Sequence, residues 1–184
     1  MSMPQPNGKY TYADYCTWDD SERWELIDGV PYAMAPAPTW QHQGISVVLS
    51  GQLREFLKGK PCNVFTAPFD VRLNANDEDD TVVQPDLVVI CDRSKLSGTG
   101  CIGAPDLVIE ILSPSTARHD KWIKLQQYQL AGVREYWIVD PDSQTVSAHL
   151  LENGKYTVAA YGDSAPVTVL PGCEINLEDV FADA

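Results

Sequence analysis

Two short stretches of this sequence decide the fold: DLVIEILSPS at residues 106–115 and QPDLVVI at residues 84–90. Each is an apolar run that begins at a Pro-Asp pair and is rich in valine and isoleucine. Each is also shorter than the roughly ten residues of a typical helix. Runs of this length and composition predict buried strands, so both stretches are expected to lie inside a sheet.

Glu110 stands between Ile109 and Ile111, in the middle of a run that is predicted to be buried. Burying a carboxylate costs several kcal/mol unless another group compensates its charge. The compensating group is expected to be a metal ion or a lysine. An uncompensated charge is the weaker interpretation, because charged side chains are rarely fully buried without a partner.

The two predicted strands bring a second carboxylate close to Glu110 if they pair antiparallel. With Ile90 opposite Asp106, Asp86 falls opposite Glu110, and directly opposed Cβ atoms lie roughly 5 Å apart. Two carboxylates at that separation repel each other, so a cation is expected between them, and oxygen ligands with room for water suit Mg²⁺. A simple strand-entry role after proline stays open for Asp86. We favour that role for Asp106, which is roughly 13 Å along the strand from Glu110.

Length and composition predict one domain over residues 1–184, with residues 1–9 as a disordered start. The chain has 184 residues, 44% of them hydrophobic, which is enough for a buried core. It shows neither a basic-then-apolar leader nor an apolar run that could span a bilayer, so a cytoplasmic protein with no membrane partner is expected. The cysteines are scattered without a C-x-x-C pair and are expected to be reduced. They are Cys16, Cys62, Cys91, Cys101 and Cys173.

The net charge of −13 argues against a broad nucleic-acid-binding face, because proteins that bind nucleic acid usually present a basic surface. Basic residues nevertheless recur around the two Pro-Asp strands. They are Arg93, Lys95, Arg118, Lys121 and Lys124. The charge therefore weakens the case for DNA as a partner and leaves it open.

Local patterns elsewhere predict interleaved hairpins, strands and helices. Asp28–Gly29 and Asn153–Gly154 lie between alternating apolar positions and predict two β-hairpins. Thr39 caps a predicted helix whose apolar face includes His42, a candidate site residue. A short strand is expected at Val167–Leu170. The predicted class is α/β (α+β), with a mixed sheet flanked by helices and added hairpins.

A second predicted helix, over residues 117–131, brings a lysine to the carboxylates. It follows the Glu110 strand after only a few residues, so its first turns are expected near the end of that strand. Lys121, Lys124 and Tyr128 share one face of this helix at i, i+3 and i+7 spacing. Lys124 could therefore reach back to Glu110, and the alternative is an ordinary exposed helical lysine.

An Asp and a Glu on neighbouring strands, with a lysine nearby, can hydrolyse a phosphodiester bond. The carboxylates would hold Mg²⁺, which neutralises the scissile phosphate and acidifies a water molecule. The lysine would orient or deprotonate that water and offset the charge of the transition state. Glu25 is a different case, because its alternation with Trp24 and Leu26 predicts a solvent-facing strand residue.

The sequence resembles the PD-(D/E)XK superfamily of restriction-endonuclease-like nucleases and, within it, the bacterial family of putative restriction endonuclease domain proteins of otherwise unknown function. The resemblance runs from about Trp24 to Ile138 and is expected to continue to the C-terminus. The stretches that carry it are ELIDG at 25–29, the helix at His42, QPDLVV at 84–89, APDLVIEILSPS at 104–115, KL at 124–125 with Tyr128, and GV at 132–133 through EYWIVDP at 135–141.

The resemblance implies a restriction-endonuclease-like fold, frequently seen as a homodimer, and a Mg²⁺-dependent DNA endonuclease that could also use Mn²⁺. Asp86 and Glu110 would bind the metal. Glu25 and Lys124 would complete the catalytic set. The superfamily lysine two residues after Glu110 is replaced by Leu112 here, and related proteins are thought to supply it from the following helix, where Lys124 stands.

Two other functions compete with the nuclease. The first is a catalytically silent member of the fold that acts as a protein- or nucleic-acid-binding or assembly module, and the acidic net charge favours it. The second is hydrolysis of a different phosphate ester at the same metal site. Buried charges that a silent protein would not need favour the nuclease.

Overall fold

The computed structural model describes residues 4, 8–18, 22–34, 37–75, 78–113 and 118–182, except for the side chains of residues 118–121. Four helices lie in these ranges: α1 Tyr12–Tyr15, α2 Trp40–Leu57, α3 Arg118–Ala131 and α4 Leu177–Phe181. The predicted cap of α2 is confirmed, because the Thr39 side chain accepts a hydrogen bond from the backbone N–H of His42. None of these helices is both long and apolar enough to cross a membrane. The disorder expected for residues 1–9 falls largely outside the described ranges.

The strands of the described ranges form two large sheets and one small sheet. They are β1 Trp24–Ile27, β2 Val30–Ala33, β3 Asn63–Thr66, β4 Asp70–Arg72, β5 Val82–Val83, β6 Leu87–Ile90, β7 Gly100–Ile102, β8 Leu107–Ile111, β9 Glu135–Asp140, β10 Thr145–Glu152, β11 Lys155–Tyr161, β12 Ser164–Pro166 and β13 Glu174–Asn176. The orders are β2-β1-β5-β4-β7, β11-β10-β9-β8-β6-β3 and β12-β13. The mixed α+β class and both predicted hairpins are confirmed. The single sheet expected around the core is instead divided in two.

The predicted register between the two Pro-Asp strands is confirmed. Strands β6 and β8 pair antiparallel, with Leu87 opposite Ile109 and Val88 opposite Val108. One step further along the same register, Asp86 comes opposite Glu110. Strand β9 then pairs in parallel with β8, and α3 forms the crossover between them.

Strands β6 and β8 are buried on both faces, which explains their nearly continuous apolar sequence. On one face, Leu87 and Ile109 pack with the apolar side of α2. On the other, Val88 and Val108 pack with Tyr128 of α3. Since side chains alternate along a strand, Glu110 belongs to the face that α3 covers, whereas Asp86 lies just before β6.

The strand predicted at Val167–Leu170 is wrong. The segment forms a turn in which the N–H of Leu170 donates to the carbonyl of Val167 at 3.0 Å. Both side chains are buried in the core. The apolar residues that suggested a strand therefore fill the core from a turn.

The expectation that all five cysteines are reduced is also wrong. Cys62 and Cys91 form a disulfide, whereas Cys16, Cys101 and Cys173 are free. Asn63 lies opposite Ile90 in the β3–β6 pair, so Cys62 and Cys91 are the next opposed positions of the same ladder. Tertiary pairing brings these two thiols together, and their spacing in the sequence does not reveal it.

Candidate active site

The candidate site lies where the chain passes from one large sheet to the other. Gln84, Pro85 and Asp86 connect β5 of the five-stranded sheet to β6 of the six-stranded sheet. Glu25 belongs to the first sheet, and Glu110 belongs to the second. Side chains from the two flanking helices, α2 and α3, complete the site.

Lys124 of α3 lies between two of the predicted carboxylates. Its Nζ atom is 2.8 Å from Oε1 of Glu25 and 3.0 Å from Oε1 of Glu110. The three side chains are 15%, 8% and 15% exposed, respectively. The structure thus has the contact predicted from the helix position and rules out an ordinary exposed lysine.

Glu25 is buried, which corrects the expectation that it faces solvent. Its Oε1 atom also accepts a hydrogen bond from the backbone N–H of Gln84 at 2.8 Å. Glu25 is buried despite its alternation with apolar neighbours because α3 supplies Lys124 as a partner on this face of β1. A strand position between apolar neighbours is a poor indicator of exposure when a helix packs on the polar side.

Asp86 is held from two directions. Its Oδ2 atom accepts a hydrogen bond from the backbone N–H of Ile111 at 2.8 Å and lies 3.1 Å from Nε2 of His42. Because Ile111 directly follows Glu110, the first bond fixes Asp86 against the strand that carries the other carboxylate. The second bond connects it to the first turn of α2.

Glu110 is the most perturbed acid of the site. Burial raises its pKa from the ordinary 4.5 to about 7, and the nearby charges of Asp86 and Glu25 act in the same direction, while Lys124 opposes them. Burial also lowers the pKa of Lys124, but the two carboxylates outweigh it, so the pKa of the ammonium is raised overall. Lys124 is therefore a permanent cation at neutral pH.

Comparison with known proteins identifies the family. The model of the family described as "Uma2: Putative restriction endonuclease" matches residues 11–178. The chain belongs to the Uma2 family. This finding confirms the resemblance that the Pro-Asp stretches indicated.

Two known proteins are similar to this Uma2 chain over most of its length. Uncharacterized protein slr1290 of Synechocystis sp. (strain ATCC 27184 / PCC 6803 / Kazusa) is 29% identical over 164 residues, which are 87% of this chain and 84% of that protein. A crystal structure described as a putative nuclease belonging to DUF820, from Anabaena variabilis ATCC 29413, matches with a TM-score of 0.76 at 20% identity. The match covers 94% of this chain and 98% of that one, and it shows that the fold is shared.

Not every acid of the Pro-Asp stretches belongs to the site of this Uma2 protein. Asp106 accepts a hydrogen bond from the backbone N–H of Cys91 at 2.6 Å and forms an ion pair with Arg134. Asp106 thus connects the start of β8 to the end of β6 and the start of β9. This agrees with the strand-entry role favoured for it from the sequence. Of the five basic residues expected near the site, Arg118 and Lys121 have side chains outside the described part of the chain.

Two further contacts of the site go beyond the sequence prediction. His42, a candidate from the apolar face of α2, contacts Asp86. Tyr128, which shares a helix face with Lys124, donates its hydroxyl to Oε1 of Glu110 at 2.8 Å. The i, i+4 spacing of Lys124 and Tyr128 was the available signal for the second contact.

The donor atoms of the site fit a hard divalent cation. Glu110 and Glu25 share the single ammonium of Lys124, and Asp86 adds a third carboxylate beside His42, so carboxylates outnumber ammonium groups in the site. Within the described residues, Asp86 Oδ1 and Glu110 Oε2 accept no hydrogen bond. The described ranges also contain no group of three or more His, Cys, Asp or Glu residues arranged to hold a metal. A cation bound by two carboxylates would keep several waters, as Mg²⁺ commonly does.

Proposed function

We propose that this Uma2 protein is a Mg²⁺-dependent endonuclease that hydrolyses phosphodiester bonds of DNA, with Mn²⁺ as an alternative metal. One observation carries the proposal. A buried ammonium, that of Lys124, contacts the carboxylate of Glu110, and Asp86 occupies the opposing position on the neighbouring strand. Two oxygen ligands and a fixed cation are the groups that phosphodiester hydrolysis requires.

Each residue has a distinct role in this proposal. Asp86 and Glu110 would hold the metal, which when bound would supply charge neutralisation at the phosphate and lower the pKa of a bound water. Lys124 remains protonated and stabilises negative charge that develops on the phosphate oxygens. Glu25 holds the ammonium in place from the far side.

The fixed protonation of Lys124 restricts the chemistry. A lysine between two carboxylates cannot accept a proton at neutral pH, so it orients water and substrate without acting as the base. The superfamily position occupied by Leu112 here carries no ionisable group. Neither Lys124 nor Leu112 can therefore take a proton from the attacking water.

The burial of these charges favours the enzyme over the silent assembly module. Placing three carboxylates and an ammonium in a mostly buried site costs free energy that apolar residues of similar volume would not cost. A binding or assembly module that contacts its partners only through surface residues would gain nothing from these buried charges. The net charge of −13 still favours the module, so activity has to be measured directly.

A homodimer is part of the proposal. Each chain offers one candidate centre, and cutting both strands of a duplex in one encounter requires two. Trp40 and Val47 are 69% and 66% exposed and lie seven residues apart on one face of α2, which supports self-association through that face. Sedimentation equilibrium of the wild-type chain and of Trp40→Asp tests this part of the proposal, and a monomeric wild type contradicts it.

The experiment for the activity is nicking of supercoiled plasmid with Mg²⁺, with Mn²⁺ and with EDTA. The wild type is expected to nick only with a metal, and Glu110→Ala is expected to be inactive. Glu55→Gln is the matched control, because Glu55 is an exposed acid on α2 with a side chain 80% exposed. Equal nicking by the wild type and Glu110→Ala would mean that a contaminant or another site cuts the plasmid.

A further inference from the structure

The two proposed metal ligands share one hydrogen-bonding arrangement. In each carboxylate, a single oxygen receives two donors: Oδ2 of Asp86 from Ile111 and His42, and Oε1 of Glu110 from Lys124 and Tyr128. The other oxygen of each carboxylate receives none from the described residues. A carboxylate held in this way cannot rotate without breaking two hydrogen bonds.

The hydrogen bond from His42 helps to fix the carboxylate of Asp86, but burying this histidine lowers the stability of the fold. It is the third residue of α2 and is only 8% exposed. Its Nε2 atom must donate to Asp86, because an ionised carboxylate only accepts. Its Nδ1 atom is then buried without a hydrogen-bond partner among the described residues. An unpaired buried nitrogen lowers stability, so an apolar side chain would suit the packing of α2 better.

Tyr128 performs the same task for Glu110. Its side chain is fully buried, and its hydroxyl donates to Oε1 of Glu110 at 2.8 Å. Its ring lies 4.9 Å from the ring of Tyr136, which restricts its rotation. A phenylalanine would fill the same space and lack only the hydroxyl.

We propose that His42 and Tyr128 are positioning residues that hold Asp86 and Glu110 in the conformations that leave Asp86 Oδ1 and Glu110 Oε2 available to the metal. The inference rests on the proposed function, because it assumes that these carboxylates bind a divalent cation. Neither residue needs to touch the metal or the phosphate. Outer contacts of this kind commonly change metal affinity 10- to 100-fold, roughly, when they are removed.

The test measures binding of Mn²⁺ to the full chain by titration calorimetry, without any nucleic acid. Tyr128→Phe and His42→Leu are each expected to weaken Mn²⁺ binding by roughly 10- to 100-fold. His42→Gln is expected to recover part of the loss, because the glutamine amide can donate from nearly the position of Nε2. Tyr156→Phe is the matched control, since it removes another partly buried hydroxyl, which donates to the carbonyl of Val133.

Urea denaturation of the same variants separates positioning from a structural role. His42→Leu is expected to be at least as stable as the wild type while binding Mn²⁺ more weakly. Wild-type affinity in both His42→Leu and Tyr128→Phe overturns the inference and leaves the proposed nuclease standing. A wild type that binds no Mn²⁺ overturns both. If His42→Leu fails to fold, Tyr128→Phe and His42→Gln decide the question.

Discussion

The Nζ atom of Lys124 lies closer to Glu25, at 2.8 Å, than to the proposed metal ligand Glu110, at 3.0 Å. Glu25, which holds the lysine, lies on a different sheet from Glu110. Asp86 and Glu110 are the carboxylates proposed to bind the metal. This arrangement separates two tasks, since Asp86 and Glu110 can serve the metal while Glu25 serves the lysine.

Replacing Lys124 by methionine is expected to destabilise the protein and to slow plasmid cleavage strongly. Two buried carboxylates lose their shared partner, and breaking a buried ion pair in this way typically costs about 3–5 kcal/mol of the free energy of unfolding. The loss in turnover should be about 10²- to 10³-fold. Urea denaturation and plasmid nicking measure the two effects.

Two further variants control the Lys124 experiment. Lys155→Met removes an exposed lysine of β11 and should change stability by no more than about 0.5 kcal/mol. The double variant Glu25→Gln with Lys124→Met should recover part of the lost stability, because it leaves one buried charge fewer. A Lys124→Met protein as stable as the wild type would contradict the buried ion pair.

Glutamine and alanine at position 25 are expected to have different effects. Glu25→Gln keeps an oxygen for the backbone N–H of Gln84 and should fold normally. Glu25→Ala leaves that N–H without its partner and should cost about 1–3 kcal/mol. Both should cut DNA more slowly with unchanged affinity for Mn²⁺, measured by calorimetry. A loss of metal affinity in Glu25→Gln would show that this acid binds the metal itself.

Metal binding is expected to weaken as the pH falls through about 7, because Glu110 must lose its proton to bind a cation and its pKa is about 7. Calorimetry with Mn²⁺ between about pH 5.5 and pH 8 should show this step. Glu110→Gln should lose both most of the affinity and the step. A step that persists in Glu110→Gln would assign the proton to another group.

The carboxyl group of Glu110 also makes the stability of the metal-free chain depend on pH. Here a lower pH favours the folded state, whereas it weakens metal binding. The pKa of Glu110 in the folded state, about 7, lies above the ordinary 4.5, so the folded chain binds the proton more tightly than the unfolded chain. The stabilising contribution is fully present below the unfolded pKa and is lost as the pH rises through about 7. Urea midpoints of the wild type should therefore fall over this interval by more than those of Glu110→Gln.

Reducing the disulfide is expected to lower stability. Cys62 and Cys91 are separated by 29 residues, and closing a loop of this size stabilises a folded chain by roughly 3–4 kcal/mol in the chain-entropy account. A reducing agent should lower the urea midpoint of the wild type but not that of Cys62→Ser with Cys91→Ser. Alkylation of the unfolded wild type without reductant should label three thiols, those free in the structure, and five labelled thiols would contradict the bond.

The register of the central strands could be predicted because it depends on local signals. A Pro-Asp pair stands at the start of both predicted strands. Once Ile90 is placed opposite Asp106, the antiparallel register puts Asp86 opposite Glu110. The Asp-Gly hairpin and the Thr39 cap are similarly local, since the turn and the cap each depend on a few adjacent residues.

The division into two sheets could not be predicted, because it depends on pairing between distant segments. Strand β4 pairs in parallel with β7, with Asp70 opposite Gly100. A Cβ atom at Gly100 would collide with the carbonyl oxygen of Asp70, so only glycine fits this close approach. That glycine was the available signal, but a glycine in a polar segment more commonly indicates a turn.

The candidate site was predictable in its residue types and less so in its environment. Burial within an apolar run identified Glu110, and helix periodicity identified Lys124. The burial of Glu25 and the contact from His42 depend on how α3 and α2 dock against the strands, which no single stretch of sequence encodes. Cys62 and Cys91 likewise meet only through the pairing of β3 with β6.

The path of the chain from β5 through residues 84–86 to β6 makes the candidate site depend on both large sheets. A partly folded molecule with only one of its sheets in place would have either Glu25 or Glu110, and Lys124 would lack half of its anchorage. The full set of side chains at the candidate site therefore forms only when both large sheets are in place.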